Sequence, residues 1–262
     1  MKQPLQSFST PAVLIRRLDY GDFDLILTFL TVERGKITAI AKSAKRSVKR
    51  FSGLLELFYL LDIVIQMRKG SGMPVLSEAS LRMPMDHIGN DILKTAYASY
   101  WTELVYGWVE SGQRQDALYA LLTFVLSELN AGTTPAEVLS ILFQLRFLSI
   151  SGLCPDLSQC SACHSNVEDA GRSPMNVDLA AGGLICEKCA TYSAAKPCLS
   201  KGTIKQLNWM NEGDVRKAMR IRFSPRTLQE GLSFLEAFVP YHLGKAPKSL
   251  RFLSKIRTLH ER

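Results

Sequence analysis

The sequence predicts an α+β chain of more than one domain, in which a small β-barrel precedes a mainly helical domain with a four-cysteine insert. The apolar pattern is strand-like over about 80 residues and helical afterwards. Two CxxC pairs interrupt the helical part. Apolar residues make up 47% of the 262, enough to supply buried cores. We predict domains at 1–81 and 82–262, with the insert at about 154–198.

Five β-rich segments fill the first predicted domain, and turn signals such as DYGD, ERGK and KGSGMP separate several of them. The segments read PAVLIRRL, DLILTFLTV, KITAIAK, LLELFYLLDIVIQM and VLSEASL. No spacer between them is a helix long enough for a parallel crossover, which predicts a small antiparallel barrel. The number of strands fits an OB-fold.

Helical periodicity begins near Asp86 and marks several helices, including ILKTAYASYWTELVYGWVE and QDALYALLTFVLSELNAG. Thr134, Pro135 and Glu137 predict a capping box at the start of the next helix, which Gly152 ends. Its apolar residues are expected to face one way: Val138, Ile141, Leu142, Leu145 and Leu148. A later helix is predicted from Ser224 to about Pro240.

The four cysteines of the two CxxC pairs are the strongest motif in the chain. Cys160 and Cys163 form the first pair, Cys186 and Cys189 form the second, and 22 residues separate the pairs. This spacing predicts a tetrahedral four-thiolate site holding one Zn²⁺ per chain. Four protein ligands leave no position for substrate, so the metal would be structural. The surrounding insert has few apolar residues, and metal ligation would help it to fold.

Other interpretations of the cysteines remain open. CSACH also matches a haem-attachment motif, but that chemistry requires an exported chain and leaves the second CxxC unused. A thioredoxin-like dithiol would need a βαβ setting, and uncoordinated reduced cysteines are a further alternative. His164 is predicted to be a bystander, and Cys154 and Cys198 to be ordinary small residues, either of which could substitute as a ligand.

The N-terminus lacks an apolar signal-peptide core, and no apolar run approaches about 18 residues. We therefore expect a cytoplasmic protein without a membrane span.

The formal charge of +8 is concentrated at the two ends of the chain. Residues 1–80 carry 12 Lys and Arg against 7 Asp and Glu, and residues 201–262 carry 13 against 5, whereas residues 81–200 carry 7 against 12. This distribution predicts a polyanion-binding surface, although a basic soluble protein is the simpler alternative.

The densest group of cations lies between the third and fourth predicted strands, in AKSAKRSVKR. A mobile cationic loop at this place in a barrel predicts nucleic-acid binding that is salt-dependent and largely independent of sequence. A solvated loop is the alternative. The predicted contacts are Lys36, Lys42, Lys45, Arg46, Lys49 and Arg50, which Arg16 and Arg17 could extend. Phe51, Phe58 and Tyr59 are candidates for base stacking. The C-terminal Lys245, Lys248, Arg251, Lys255 and Arg257 form either a second basic face or the coat of a terminal helix.

Catalytic motifs such as GxxxxGK[ST], GxSxG and HExxH are absent from the sequence, and the four histidines are scattered. We predict a binding protein rather than an enzyme. A metal-dependent nuclease using Asp19, Asp22 and Asp24 is one alternative, and a zinc-ribbon protein that binds RNA or the ribosome is another.

Three parts of the chain carry a distinctive pattern: AVLIRRLDYGDFDLILTFLTVERGKITAIAKSAKRSVKRFSGLLELF, GLCPDLSQCSACHS with GGLICEKC, and YHLGKAPKSLRFL. In these parts the chain resembles the bacterial RecO family of recombination mediators. The resemblance implies an OB-fold followed by a helical domain with a zinc finger. Some family members lack the four cysteines, all of which this chain keeps.

The same resemblance implies a function in DNA repair at the nucleoid. It implies binding of single- and double-stranded DNA, annealing of complementary strands, and action with RecR to help RecA replace SSB. The DNA-binding positions of the family match the basic segment of this chain. The acidic C-terminal tail of SSB is expected to bind the helical domain, in an apolar groove with one or two flanking basic residues.

Overall fold

The computed structural model describes residues 7–68, 72–169, 174–190 and 197–260. The chain divides into two compact units. The first unit contains residues 1–131 with 256–262, and the second contains residues 132–255. The predicted division into domains at residues 81 and 82 stays a prediction. Part of the predicted KGSGMP turn, Lys69–Ser71, lies outside the described residues.

The first unit contains the five predicted strands, which are β1 (Ser7–Tyr20), β2 (Asp24–Thr31), β3 (Gly35–Ala41), β4 (Leu60–Gln66) and β5 (Val75–Met83). They pair in the order β1-β2-β3-β5-β4, and the pairing of β4 with β1 closes the sheet. All pairs are antiparallel except β3 with β5, which meet in parallel at Ile40 and Val75. The closed sheet therefore has one short seam.

Alternation along the strands separates a core face from an outer face. The core receives Leu25, Leu27 and Phe29 from β2 and Ala39 and Ala41 from β3, all of them buried. A register shift between Leu14 and Arg16 bends β1 out of strict alternation.

The fourth strand begins later than the sequence suggests, because Leu54–Tyr59 forms turns instead of the start of the strand. The N–H of Phe58 donates to the carbonyl of Leu14 at 2.8 Å, and the N–H of Leu14 donates to Tyr59 at 3.2 Å. Phe58 has a φ of 72°, in the left-handed region. Leu55 and Phe58 are buried although they lie in a loop, and their hydrophobicity resembles that of a strand.

Three α-helices follow the strands in the first unit: α1 (Asp86–Gly89), α2 (Ile92–Trp108) and α3 (Asp116–Ala131). The side chain of Asp91 caps α2 by accepting from the N–H groups of Leu93 and Lys94 at 2.9 and 3.0 Å. The apolar stripe predicted for α3 is confirmed as buried: Leu118, Leu121, Leu122, Val125, Leu126 and Leu129.

The helices of the second unit are α4 (Ala136–Ile150), α5 (Lys201–Asn211), α6 (Val215–Ala218), α7 (Pro225–His242) and α8 (Lys248–His260), whose last residues belong to the first unit. The predicted cap of α4 is wrong, because Pro135 occupies the N-cap and no side chain caps the helix. The five apolar residues that were expected to face one way are confirmed as buried, but burial of α4 is not confined to them. Every residue from Val138 to Leu145 is buried, and α4 packs against both α5 and α7.

The cysteine insert contains a small four-stranded sheet. Its strands are β6 (Asp156–Cys160), β7 (Met175–Asp178), β8 (Gly183–Ile185) and β9 (Cys198–Leu199), in the order β6-β8-β7-β9. β6 and β8 are parallel, whereas β7 is antiparallel to β8 and β9. We call residues 154–169, 174–190 and 197–199 the cysteine module. Within the described ranges, no helix is both long and apolar enough to cross a membrane.

Candidate metal centre and nucleic-acid interface

The four cysteines lie together at one edge of the cysteine module. Cys160 ends β6, and Cys186 directly follows β8. Because these strands are parallel, their carboxyl ends meet at the same edge, and each strand delivers one CxxC turn there. The Sγ atoms of Cys160, Cys163, Cys186 and Cys189 all lie within 4.8 Å of one another.

Backbone hydrogen bonds hold the two CxxC turns in register. The N–H of Cys186 donates to Sγ of Cys160 at 3.3 Å, which links the two turns directly. The N–H of His164 donates to the carbonyl of Cys160 at 2.9 Å, and that of Cys189 to Cys186 at 3.1 Å. Cys160 and Cys186 are buried, whereas Cys163 is exposed and Cys189 half-buried.

The spacing of the sulfur atoms is compatible with a tetrahedral metal. Metal–sulfur bonds of about 2.3 Å place the sulfurs of a tetrahedron ~3.8 Å apart. Sγ of Cys163 lies 3.8 Å from Sγ of Cys186. Among the residues that the structure describes, no other group of three or more His, Cys, Asp or Glu side chains could hold a metal ion.

The thiols of the cluster differ in acidity when no cation is bound. A hydrogen bond from the Ser165 hydroxyl lowers the pKa of the Cys163 thiol to about 6. A hydrogen bond with Cys186 is the largest influence on Cys189, whose pKa is raised to about 12. The cluster therefore resists becoming four thiolates by itself. A coordinated cation removes this resistance, since thiol ligands lose their protons on binding.

The remaining candidates near the motif lie outside the cluster. His164 is exposed and has a left-handed backbone with a φ of 59°. Sγ of Cys154 accepts from Nδ2 of Asn211 at 3.1 Å, and Cys198 lies in β9.

The first half of the basic segment Lys42–Arg50 is tethered to the hairpin between β1 and β2, whereas the sequence predicted a mobile loop. The N–H of Ser43 donates to Oδ1 of Asp24 at 2.7 Å, and the N–H of Lys45 donates to the carbonyl of Phe23 at 3.0 Å. A short 3₁₀ turn over Ala44–Arg46 follows. The charges of this segment therefore have a defined position beside the hairpin.

The predicted cations of the segment differ in how much of their charge is available. Nζ of Lys45 lies 3.0 Å from Oδ2 of Asp19, so a carboxylate partly neutralises it. The guanidinium of Arg46 lies over the ring of Phe23 at 3.2 Å from its centroid. Arg50 donates to the carbonyl of Lys42 at 3.0 Å, an interaction that leaves both charges intact. Lys42 and Lys49 are exposed and have no ion pair with any described residue.

Lys36 lies apart from the segment and is fixed by Tyr106. Its Nζ donates to the carbonyl of Tyr106 at 2.7 Å and lies 4.6 Å from the ring centroid. Arg16 approaches the same ring at 4.9 Å and donates to the tyrosine hydroxyl at 2.6 Å. Gly35 permits this geometry, because its φ is +57° and a Cβ there would lie 2.5 Å from the carbonyl oxygen of Gln113.

Strand register places several predicted and unpredicted residues on the outer face of β1, β2 and β3. Arg16 is opposite Thr28, which is opposite Thr38, and Leu18, Ile26 and Ile40 form the next row. Tyr20 extends the β1 row and is 54% exposed. We define the outer face by its exposed and half-buried members: Arg16, Leu18, Tyr20, Ile26, Lys36, Thr38 and Ile40.

The aromatic candidates require a correction. Phe51 and Phe58 are buried, and Tyr59 is half-buried with its hydroxyl bonded to Asp86, so the two phenylalanines are unavailable for stacking. Tyr20 was missed, although the alternation of Arg16, Leu18 and Tyr20 along β1 could have identified it.

Two of the three aspartates of the nuclease alternative, Asp19 and Asp24, form contacts with the basic segment. Asp19 pairs with Lys45, and Asp24 accepts from the N–H of Ser43, while Asp22 lies in the hairpin turn. The three are not among the possible metal-binding groups of the described residues. The geometry therefore gives the nuclease alternative no support.

Two family models match the chain one after the other. The model described as Recombination protein O N terminal matches residues 5–85, and Recombination protein O C terminal matches residues 89–251. The chain belongs to the RecO family. It is 45% identical over 253 residues to the DNA repair protein RecO of Desulfatibacillum aliphaticivorans, covering 96% of this chain and 98% of the relative. It is 43% identical to that of Desulfosudis oleivorans, with 97% and 99% covered. It is 34% identical to that of Anaeromyxobacter sp. (strain K), with 94% and 96% covered.

Membership of the RecO family establishes a role in DNA repair and recombination that includes DNA binding. In this RecO family member, the two matches meet where β5 ends and α1 begins. The roles of the six basic residues and the four cysteines remain predictions.

Proposed function

We propose that this RecO family member anneals complementary DNA strands and acts with RecR to help RecA replace SSB on single-stranded DNA. The observation that carries the proposal is a set of exposed cations beside the outer face. Lys42, Arg46, Lys49 and Arg50 have no carboxylate partner among the described residues, and Tyr20 is exposed on the adjoining strand.

The closed five-stranded sheet would act as an OB-type domain over residues 1–81. In such domains, basic residues follow the phosphate backbone while aromatic rings stack on bases. Here Lys36, Arg16 and the basic segment supply the charge, and Tyr20 supplies the ring. Lys45 would contribute less than its neighbours, because Asp19 already partly neutralises it.

Annealing by this mechanism needs no covalent step, and the proposal is therefore a non-enzymatic one. Cations that neutralise phosphates on two strands reduce their mutual repulsion and raise their local concentration. Base pairing then drives formation of the annealed duplex. Binding through phosphates is largely independent of sequence and applies to single- and double-stranded DNA alike.

Partner binding is assigned to the helical part of the chain. We propose that the acidic tail of SSB binds within residues 82–262, in an apolar groove with flanking basic residues. RecR and RecA complete the proposed reaction, which takes place on chromosomal DNA in the nucleoid. These assignments come from the family resemblance.

The metal of the cysteine cluster is proposed to be one structural Zn²⁺ per chain. Thiolate ligands in a tetrahedral set favour zinc, and four protein ligands leave no open position for catalysis. Bound zinc would supply a cross-link between the turns after β6 and β8. This cross-link would add to the stability of the small core that the described part of the module buries: Leu157, Val167, Met175, Val177, Leu184, Ile185 and Leu199.

The test of the interface is the variant Lys42→Ala, Arg46→Ala, Lys49→Ala, Arg50→Ala, here called the sheet quadruple. Each lost phosphate contact flattens the slope of log affinity against log salt by about 0.7 for single strands. We expect the slope to flatten by about 2 to 3 and annealing of SSB-coated complementary strands to slow at least tenfold.

The matched control removes four exposed cations elsewhere: Lys188→Ala, Lys245→Ala, Arg251→Ala, Lys255→Ala, here called the control quadruple. It should retain the wild-type slope. An unchanged slope in the sheet quadruple would overturn the interface. Absence of annealing by the wild-type chain would overturn the proposed function.

The same preparations discriminate the alternatives. Competition between RNA and single-stranded DNA of equal length tests the zinc-ribbon RNA protein, which should prefer RNA. Incubation of DNA with Mg²⁺ or Mn²⁺ tests the nuclease, which should cleave it.

A further inference from the structure

A second concentration of positive charge lies in the second unit, between α5 and α7. Residues 201–226 carry seven Lys and Arg against two acidic residues. Three of the seven have partners: Lys205 pairs with Glu168 at 3.1 Å, Arg226 pairs with Glu230 at 2.8 Å, and Lys201 donates to the carbonyl of Glu168 at 2.6 Å. The other four are exposed and make no ion pair in the described ranges: Arg216, Lys217, Arg220 and Arg222.

The backbone turns these cations toward solvent. Helical hydrogen bonds continue past α6, since Arg220 N–H donates to Lys217 at 3.1 Å and Ile221 N–H donates to Ala218 at 3.3 Å. Because these are i→i−3 bonds, side chains three residues apart share a side, which places Lys217 and Arg220 one turn apart. From Arg220 to Ser224 exposed and half-buried residues alternate, as in an extended chain. Arg222 thus lies on the exposed side together with Arg220.

Hydrogen bonds from two neighbouring side chains fix this segment at both ends. The half-buried Arg146 donates to the carbonyl groups of Met210, Glu212 and Gly213 at 3.0, 2.7 and 2.9 Å. Nε2 of Gln206 donates to the carbonyl of Arg222 at 3.0 Å. The cations therefore project from an ordered backbone, which reduces the entropy lost on binding.

The two acidic residues of the segment lower its net charge, but neither forms an ion pair with any of the four cations in the described ranges. The Asp214 carboxylate accepts from the N–H groups of Arg216 and Lys217 at 2.8 and 3.1 Å, so it caps α6. Glu212 is exposed at the end of α5. Three of the four free cations are arginines, whose planar groups match phosphate in a bidentate manner.

An exposed tryptophan adjoins the cationic segment. Trp209 lies in the last turn of α5 and is 56% exposed. An indole ring open to solvent can stack on an unpaired base. We call Trp209, Arg216, Lys217, Arg220 and Arg222 the α6 surface.

We propose that the α6 surface is a second nucleic-acid-binding surface, which holds the phosphate backbone of a single strand while Trp209 stacks on one of its bases. The inference rests on the proposed annealing function and deepens it. Two complementary strands must be held before they pair, and the α6 surface gives the second unit a contact of its own.

The test is the full-length variant Arg216→Ala, Lys217→Ala, Arg220→Ala, Arg222→Ala, here called the α6 quadruple, with oligo-dT as the probe. We expect its salt slope to flatten by about 2 to 3 and annealing to slow at least fivefold. The control quadruple should keep the wild-type slope. If the α6 quadruple and the control quadruple lost the same amount of oligo-dT affinity, only net charge would matter, and the inference would be overturned.

A second measurement does not depend on the stability of the α6 quadruple. Oligo-dT should quench part of the wild-type tryptophan fluorescence, and Trp209→Phe should abolish that part. Trp101 is buried and Trp108 is 37% exposed, so Trp209 is the most exposed of the three indoles. Identical quenching in wild type and Trp209→Phe contradicts stacking.

The outcomes separate this inference from the proposed function. If the sheet quadruple is defective and the α6 quadruple anneals normally, the α6 surface is wrong and the proposed function stands. If wild type does not anneal but the α6 quadruple still loses oligo-dT affinity, the surface stands and the proposed function fails. If the α6 quadruple loses affinity only for an acidic SSB-tail peptide and keeps its affinity for oligo-dT, the surface is a protein-docking site and the inference is overturned.

Discussion

At the scale of single residues, Glu230 joins three parts of the second unit. Its carboxylate on α7 accepts from the N–H of Ser200 at 2.9 Å, from the hydroxyl of Thr203, and from Nε of Arg226 at 2.8 Å. Burial by itself raises the pKa of Glu230. The hydrogen bonds from Thr203, Ser200 and Arg226 outweigh burial and hold the pKa at about 2. One carboxylate thus fixes the start of α5 and the end of the cysteine module.

We expect Glu230→Gln to lower the free energy of unfolding by about 2 to 3 kcal/mol at pH 7. The folded pKa of about 2 lies below the ordinary value of 4.5, so the ionised group stabilises the fold above pH 4.5. This contribution is lost as the pH falls from 4.5 toward 2. Urea unfolding at pH 7 and pH 3 measures the difference, which should shrink at the lower pH. Glu187→Gln, at an exposed position, is the control. An equal deficit at both pH values would contradict the assignment.

Single residues also show where sequence reasoning succeeds. The cysteines were identified because CxxC spacing is local and chemically specific. The stacking candidates failed for Phe51 and Phe58, since their position beside basic residues does not reveal which side of the chain is buried. Tyr20 lies on the outer face because of strand register, which depends on pairing between distant residues.

At the scale of elements, length decides what the sequence can predict. The helices α3 and α7 and the strand β3 carry clear periodicities, and they are confirmed. The strands of the cysteine module have two to five residues, too few for alternation to be visible. The late start of β4 follows from hydrogen bonds with Leu14, which no local pattern contains.

The cysteine module is predicted to depend on its metal. Freshly prepared, unchelated protein should contain about one zinc per chain. Cys163→Ser and Cys186→Ser should lose it and lower the unfolding temperature, because two parallel strands lose their cross-link. Elemental analysis and thermal unfolding measure both effects.

Cys154→Ser and Cys198→Ser provide the matched controls, since both thiols lie outside the cluster. They should keep the metal. Protein without zinc before any chelation, or equal retention in all four variants, would contradict the proposed centre.

At the scale of the whole molecule, the boundary between the two compact units differs from the point at which strands give way to helices. Strands give way to helices between Met83 and Asp86, near the meeting point of the family matches, yet the first unit continues to Ala131. The segment that follows α2 explains this, because its backbone pairs with the start of β3 and the residue before it. Gly35 bridges to Ser111, and the N–H of Gly112 donates to the carbonyl of Arg34 at 3.0 Å.

The cysteine cluster and the outer face belong to different units, which predicts that DNA binding by the outer face is independent of the metal. Adding Cys163→Ser to the α6 quadruple should leave its remaining oligo-dT affinity and salt slope unchanged, because binding then rests on the first unit. Salt titration with and without a chelator measures this. A further loss of affinity in the combined variant would show that the metal acts on the first unit.

The parallel pairing of β6 with β8 also sets a schedule for synthesis. Cys160 and Cys163 are translated first, and the 22 residues that follow take about 1 to 4 s at about 5 to 20 residues per second. Until then the nascent chain carries two thiols without their partners, and β6 has no strand to pair with. A metal held by all four cysteines could be enclosed only after Cys189 has emerged, so the order of translation would fix the order of assembly of this module.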